Sequence, residues 1–163
     1  MLTAGLLTLM LAAAPDAAPQ PNELTGSWEM VDAYEILATG ERITTYGEHP
    51  QGMMMVDAAG RYAIQIYRPG RPRFAAGEKA KGTSDELRTA LIGASTHFGR
   101  VRVDRAAHTL VFEIAASVYP NWEGTRQVRS YQLRDGVLTY AVPAAASGNG
   151  TIAWSVWRRV GHR

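Results

Sequence analysis

The chain of 163 residues contains no cysteine. That excludes a disulfide framework, a thiolate metal site and a thiol nucleophile. Histidine is scarce as well: His49, His97, His108 and His162 follow no HxH or HExxH spacing, so no metal site is expected. A phosphate-cradling glycine loop is missing. Gly93-Ala94-Ser95-Thr96-His97 is no nucleophile elbow, because its serine falls in a segment that reads as helix. No pattern asks for a cofactor. An excess of one charge is lacking too: the formal net charge is +2, carried almost wholly by arginine. So mild a balance excludes nucleic acid as the expected partner. The densest basic stretch, Arg68-Pro69-Gly70-Arg71-Pro72-Arg73, reads as a solvated loop.

Long apolar runs are confined to Leu2 to Ala14, which is too short to span a bilayer as a stable helix. Ala12-Ala13-Ala14 offers the small residues a signal peptidase needs. Residues 1–14 are therefore read as the apolar part of a signal peptide. The expected location is the periplasm or the exterior, with no stable membrane insertion after cleavage. The missing basic residue before the run and Pro15 after the cleavage point both depart from that pattern. Residues 15–23, rich in Pro and Ala, read as a disordered leader. Residues 24–160 read as one domain.

What fills that domain is a series of short alternating runs. Trp28, Met30, Asp32 and Tyr34 would share one face of a first strand. After Thr39-Gly40 come Arg42 to Tyr46, then Met53 to Val56 and Arg61 to Tyr67 as a hairpin around Asp57-Ala58-Ala59-Gly60. Thr83-x-x-Glu86 is a capping box that starts the one helix, with Leu87, Leu91 and Ile92 at helical spacing and an end near Thr96. Strands follow at Gly99 to Asp104, Thr109 to Val118, Thr125 to Arg134, Val137 to Val142 and Thr151 to Val160. Asp135-Gly136 suits a tight hairpin with positive φ, and Ser147-Gly148-Asn149-Gly150 a looser one. Short connections without βαβ alternation predict an all-β fold. Its form would be an up-and-down antiparallel β-barrel of 8–10 strands with one short helix inserted as lid or flank. Trp28 would plug one end, with Arg158 covering it from the face it shares with Trp154 and Val156.

Several motifs sit in this order: Leu24-Thr25-Gly26-Ser27-Trp28, Pro50-Gln51-Gly52, Arg71-Pro72-Arg73-Phe74, His97-Phe98-Gly99-Arg100, and Ser117-x-x-Pro120-Asn121-Trp122-x-Gly124-Thr125 with Gln127-Val128-Arg129. Together they resemble the bacterial and fungal lipocalin-like domain proteins over about residues 23 to 160. The Pro-Asn-Trp-x-Gly-Thr stretch is the most specific piece. The resemblance implies a calycin-type barrel with a cavity for a small hydrophobic molecule. It also brings the precedent of distant relatives that promote ring closure of a reactive substrate. One departure stands out. Phe112 and Glu113 occupy the strand before Pro-Asn-Trp, where relatives often carry histidine.

Candidate site residues follow from alternation. Gln127, Arg129, Tyr131 and Leu133 would point inward from one strand. An ion buried there needs a partner, either a carboxylate or carbonyl on a ligand or the carboxylate of Asp32. Tyr34, Met55, Phe112, Tyr131, Tyr140 and Trp154 would line the walls, and Arg129 with Gln127 would anchor a polar head. Only every second residue of Met53-Met54-Met55 can face inward. Asn121 and Trp122 sit in a loop tied to rigid strands and could touch a ligand. The alternative is a loop folded over one barrel end with Gly124 at positive φ. The expected function is binding of a small hydrophobic molecule by a monomer. The alternative is a cyclase or isomerase that works by confinement, with Asp32, His97 and Tyr140 as its proton donors or acceptors.

Overall fold

A computed structural model describes residues 22–142 and 151–161. The signal-peptide segment, the turn at Ser147 to Gly150 and His162 lie outside the described residues. Asn22 and Glu23, at the end of the stretch read as leader, are tied to the barrel: Asn22 Nδ2 donates to the Val101 carbonyl, and Glu23 pairs with Arg105.

Nine strands form one antiparallel sheet: β1 Gly26–Ile36, β2 Arg42–Ile43, β3 Gln51–Val56, β4 Arg61–Tyr67, β5 Ala94–Asp104, β6 Thr109–Ser117, β7 Arg126–Arg134, β8 Val137–Val142 and β9 Ile152–Arg159. Each long strand pairs with the next, and β1 also pairs with β9. The sheet thus closes into an eight-stranded up-and-down barrel, with β2 a two-residue appendage on β1. Closure leaves no long edge unpaired. Asp135 and Gly136 both take positive φ, at 50° and 75°, in the tight β7–β8 hairpin.

One end is packed solid. Trp28, Met54 and Trp157 are fully buried there among Leu24, Val56, Val101, Leu110 and Leu138. Trp28 Nε1 donates to the Leu24 carbonyl at 2.8 Å. The guanidinium stacked on its face, 4.2 Å from the ring centroid, belongs to Arg159 and not to Arg158. On β9 the inward set is Thr151, Ala153, Ser155, Trp157 and Arg159, one residue out of phase with the face expected from Trp154. Arg159 also donates to the backbone carbonyls of Thr25 and Glu23, stitching the N-terminal segment over the plug.

Two bulges break the period of two. In β1 the register slips between Met30 and Asp32, leaving Val31 as the extra residue. Trp28 and Met30 face the core, but beyond the slip Ala33 and Glu35 do so in place of Asp32 and Tyr34. In β6 the slip opposite Phe98 and Gly99 leaves Ala115 over. Glycine is required at that point, since a Cβ on Gly99 would lie 2.0 Å from the Glu113 carbonyl oxygen.

The helix α1, Ser84–Ile92, starts on the expected capping box: Glu86 N–H donates to Thr83 Oγ1, and the Thr83 N–H donates to the Glu86 carboxylate at 2.7 Å. It ends at Gly93, earlier than the expected Thr96, and β5 begins at Ala94. His97 therefore lies inside a strand and not at a junction. Leu87, Leu91 and Ile92 are exposed, so the helix flanks the barrel's other end without being buried in it.

Candidate functional site

Opposite the plugged end, the barrel is hollow. A cavity of about 450 Å³ opens between the C-terminal parts of β1, β4 and β8, the middle of β7, the N-terminal parts of β5 and β9, the segment that follows β6, and the last turn of α1. Most of its wall is aromatic or aliphatic, with a few polar groups gathered in two places.

The deep place is built around Arg129, the middle of the inward face of β7. Its side chain is 1% exposed and lines the cavity. Nη2 donates to Gln127 Oε1 at 2.7 Å, two residues away on the same face. The guanidinium lies over the Phe112 ring at 4.3 Å, with the Tyr140 and Trp122 rings at 5.4 and 5.6 Å. Among the described residues its Nε has no acceptor. The arginine's pKa is pulled down by burial, against the favourable influence of the Tyr140 and Tyr62 hydroxyls.

His97 and Tyr62 complete this end. The Tyr62 hydroxyl and His97 Nδ1 are 2.8 Å apart, and the imidazole edge packs on Tyr62, Trp122 and Phe112. Burial, with a further push from the Arg129 charge, lowers the His97 pKa to about 3, so the ring is neutral at ordinary pH. Burial likewise holds the Tyr62 and Tyr140 phenols in their protonated forms. Tyr140 has Trp157, Ser155 and Arg129 as polar neighbours, although Trp157 Nε1 meets no acceptor in hydrogen-bonding geometry.

The second polar place lies on the β1–β9 wall. Glu35 is 5% exposed, accepting the Thr45 hydroxyl at 2.7 Å and the Thr151 hydroxyl at 2.6 Å. Tyr46 and Ser95 stand near it, and the Tyr46 phenol is held up chiefly by burial. Arg68 Nε donates to the Thr45 carbonyl at 3.0 Å, pinning the β2–β3 connection against the mouth.

Of the residues expected from sequence, Arg129, Tyr140, Trp122, His97, Tyr34 and Trp154 reach the cavity lining. Tyr34 and Trp154 are cross-strand partners whose rings stack at 6.5 Å along the rim. Phe112 is fully buried beneath the Arg129 guanidinium, a floor and not a wall. Gln127 acts through Arg129 and does not itself line the cavity.

Four expected placements are corrected. Asp32 cannot partner Arg129, because the Val31 bulge turns it outward, where it pairs with Arg42. The same turn takes it away from any proton-transfer role in the interior. Met55 is 47% exposed, since Trp28 pairs with Met54 and cross-strand partners share a face; Met54 is the inward methionine. Tyr131 does face inward but toward the closed end, where its hydroxyl donates to Glu23 at 2.5 Å, and it is absent from the cavity wall. Asn121 is exposed, with its Nδ2 on the Tyr119 hydroxyl at 3.1 Å.

The Pro120-Asn121-Trp122 turn and its sequel show why that motif is compact. Pro120 opens a single helical turn, and Thr125 Oγ1 donates back to the Trp122 carbonyl at 2.7 Å. Gly124 takes φ +70° while its N–H donates to the Ile114 carbonyl at 2.9 Å. This loop folds Trp122 over Arg129 and His97. Glu35, Tyr46 and Tyr62 were not anticipated. Tyr62 was legible, because it shares the inward set of β4 with Ile64 and Ile66. Glu35 was not, because the bulge reverses the alternation that would reveal it.

A hollow antiparallel barrel, plugged at one pole by tryptophan under arginine and open at the other, is the architecture of small-molecule-binding barrels. The chain matches the lipocalin-like domain family over residues 25–160 and belongs to it. It is 31% identical over 106 residues, 60% of this chain and 96% of the relative, to the 4'-hydroxy-3'-methoxypropiophenone carrier protein of Aspergillus oryzae (strain ATCC 42149 / RIB 40). Among solved structures, a biogenic amine-binding protein aligns at 18% identity and a TM-score of 0.39, over 93% of this chain and 72% of its own.

Proposed function

We propose that the protein binds, and carries after export, a small aromatic or otherwise apolar molecule whose acceptor oxygen is turned toward Arg129. The observation that carries this reading is a buried guanidinium on the cavity wall with neutral partners and an unpaired Nε. A buried charge left in that condition is costly, and an incoming acceptor relieves the cost. The cavity volume falls within the usual range for small-molecule pockets. The relative named as carrier of an aryl ketone supports a ligand of this size and chemistry.

The test is a thermal-shift screen with aryl ketones, phenols, short polyketides and fatty acids. A ligand present at about 100 times its Kd adds roughly 2.7 kcal/mol, which is on the order of 5–10 °C for a domain of this size. If no compound moves the midpoint, the binding reading fails.

Ring closure or isomerisation by confinement is the second reading, favoured by the contact of Tyr62 with His97, which lies on the cavity wall. Neutral imidazole and phenol can relay a proton, but their shifted pKa values make each a poor base at neutral pH. Unchanged recovery of every bound compound supports carriage; conversion that is lost in His97→Gln supports the enzyme.

A further inference from the structure

The charge at the deep end of the cavity is unbalanced. Among the described residues, every group in contact with the Arg129 guanidinium is neutral: the Gln127 carboxamide, the Tyr140 hydroxyl, and the rings of Phe112, Trp122 and Tyr140. Among the described residues, no carboxylate lies within 4.0 Å of it. The carboxylate expected from sequence, Asp32, is outside the barrel on Arg42. Glu35 lines the same cavity but is engaged on the β1–β9 wall by the hydroxyls of Thr45 and Thr151. Among the described residues, the titratable groups around Arg129 are His97, Tyr62 and Tyr140, and Tyr46 and, beyond it, Arg68 stand near Glu35. None of the first three carries charge at neutral pH.

A neutral carbonyl would fill the empty hydrogen-bond position and leave the charge. An anionic oxygen answers both, and charge-assisted bonds to a guanidinium are the stronger kind. A dianion such as a phosphate monoester would need a second cation. His97, the nearest candidate, is neutral instead.

We infer that the cavity takes its ligand as a monoanion, an ionised carboxyl or acidic phenol oxygen seated on Arg129, with the apolar body lying toward the mouth under Trp122. Seating the charged oxygen at the deep end, on Arg129, sets the ligand's direction. This rests on the binding reading above and adds ionisation state and orientation to it.

The test uses para-hydroxyacetophenone, whose phenolate absorbs at longer wavelength than its phenol, with its para-methoxy ether and para-methoxybenzoate as companions. With the full-length protein in excess, the phenol's pKa read from the phenolate band is expected to fall by at least about one unit, a tenfold preference for the anion. The phenolate is expected to bind at least about tenfold tighter than the ether. In Arg129→Gln the pKa displacement disappears, and Arg129→Lys restores part of it. Competition between phenolate and carboxylate decides which oxygen the site prefers; tighter binding of either anion than of the ether supports the inference. If the bound phenol titrates at or above its value in water and the ether binds equally well, the inference is overturned while the binding reading stands. If none of the three compounds binds, the inference is overturned, and the wider thermal-shift screen decides the binding reading. The wild-type titration decides the matter even where a variant fails to fold.

Discussion

Removing the charge at position 129 separates a structural arginine from one held for a ligand. In Arg129→Met most of the side-chain volume is kept and the guanidinium is lost. Burying an ion costs several kcal/mol after relaxation. Against that stand one charge-assisted bond to Gln127 at 2.7 Å, about 1.5–3 kcal/mol, and the stacking on Phe112 at 4.3 Å, about 0.5–2 kcal/mol. The Tyr140 and Trp122 rings are farther and add less. These terms nearly cancel. The ligand-free variant should therefore lie between about 1 kcal/mol less and about 2 kcal/mol more stable than wild type, in line with other buried charges replaced by apolar groups. That is a midpoint change from about −4 to +8 °C. Half-buried Gln127 can turn to water once its partner is gone. Urea denaturation of both proteins without ligand is the assay, repeated with any compound that stabilises wild type. The variant should forfeit most of that ligand-induced gain. A loss of about 3 kcal/mol or more in the ligand-free protein, the usual cost of breaking a buried ion pair, would refute the reasoning and make Arg129 a part of the fold's own support.

The two adjacent arginines on β9 should behave oppositely. Arg159→Met removes the stack on Trp28 and two bonds to backbone carbonyls, at a cost of about 2–3 kcal/mol in urea denaturation. Arg158→Met, on the solvent side, should cost less than about 0.5 kcal/mol, and equal effects would mean that the β9 phase is wrong. For His97, the folded pKa of about 3 lies below the unfolded value, about 6.5. Between those values the unfolded chain binds the extra proton. The stability from His97 staying neutral is complete above about pH 6.5 and is lost as pH falls toward 3, with a slope approaching ~1.4 kcal/mol per pH unit. Carboxylates add slopes of the same sign, so the measurement is the wild-type slope between pH 7 and pH 4 minus that of His97→Gln. A difference near zero would show that the ring is not buried and neutral in solution.

Much of the barrel could be read from the chain because its signals are local. Asp135-Gly136 demands a tight hairpin wherever it stands, and Thr83-x-x-Glu86 caps a helix with its own atoms. Arg129 was found by parity along β7, a strand with no interruption. The plug was half found: Trp28 was placed correctly, but its cover was taken one residue early. The phase of β9 is set by its pairing with β1 and β8 and not by its own run of tryptophans. Met53-Met54-Met55 illustrates the same dependence. Nothing within three identical residues selects the inward one, and Trp28 across the β1–β3 ladder does.

The reversed residues of β1 share one cause. Each bulge adds a residue where the solid end gives way to the cavity, so parity counted from the plug is right below the slip and reversed above it. In β1 the extra Val31 turns Asp32 out and Glu35 in. In β6 the extra Ala115 realigns the strand so that Ser117 stands opposite His97, and the chain beyond carries Tyr119 and Trp122 to the cavity. Without the β1 slip, Asp32 would stand on the interior face with Trp28 and Met30, and Glu35 on the outer one. The bulge thus decides which carboxylate of β1 enters the barrel: Glu35, which accepts the hydroxyls of Thr45 and Thr151, and not Asp32, which pairs with Arg42.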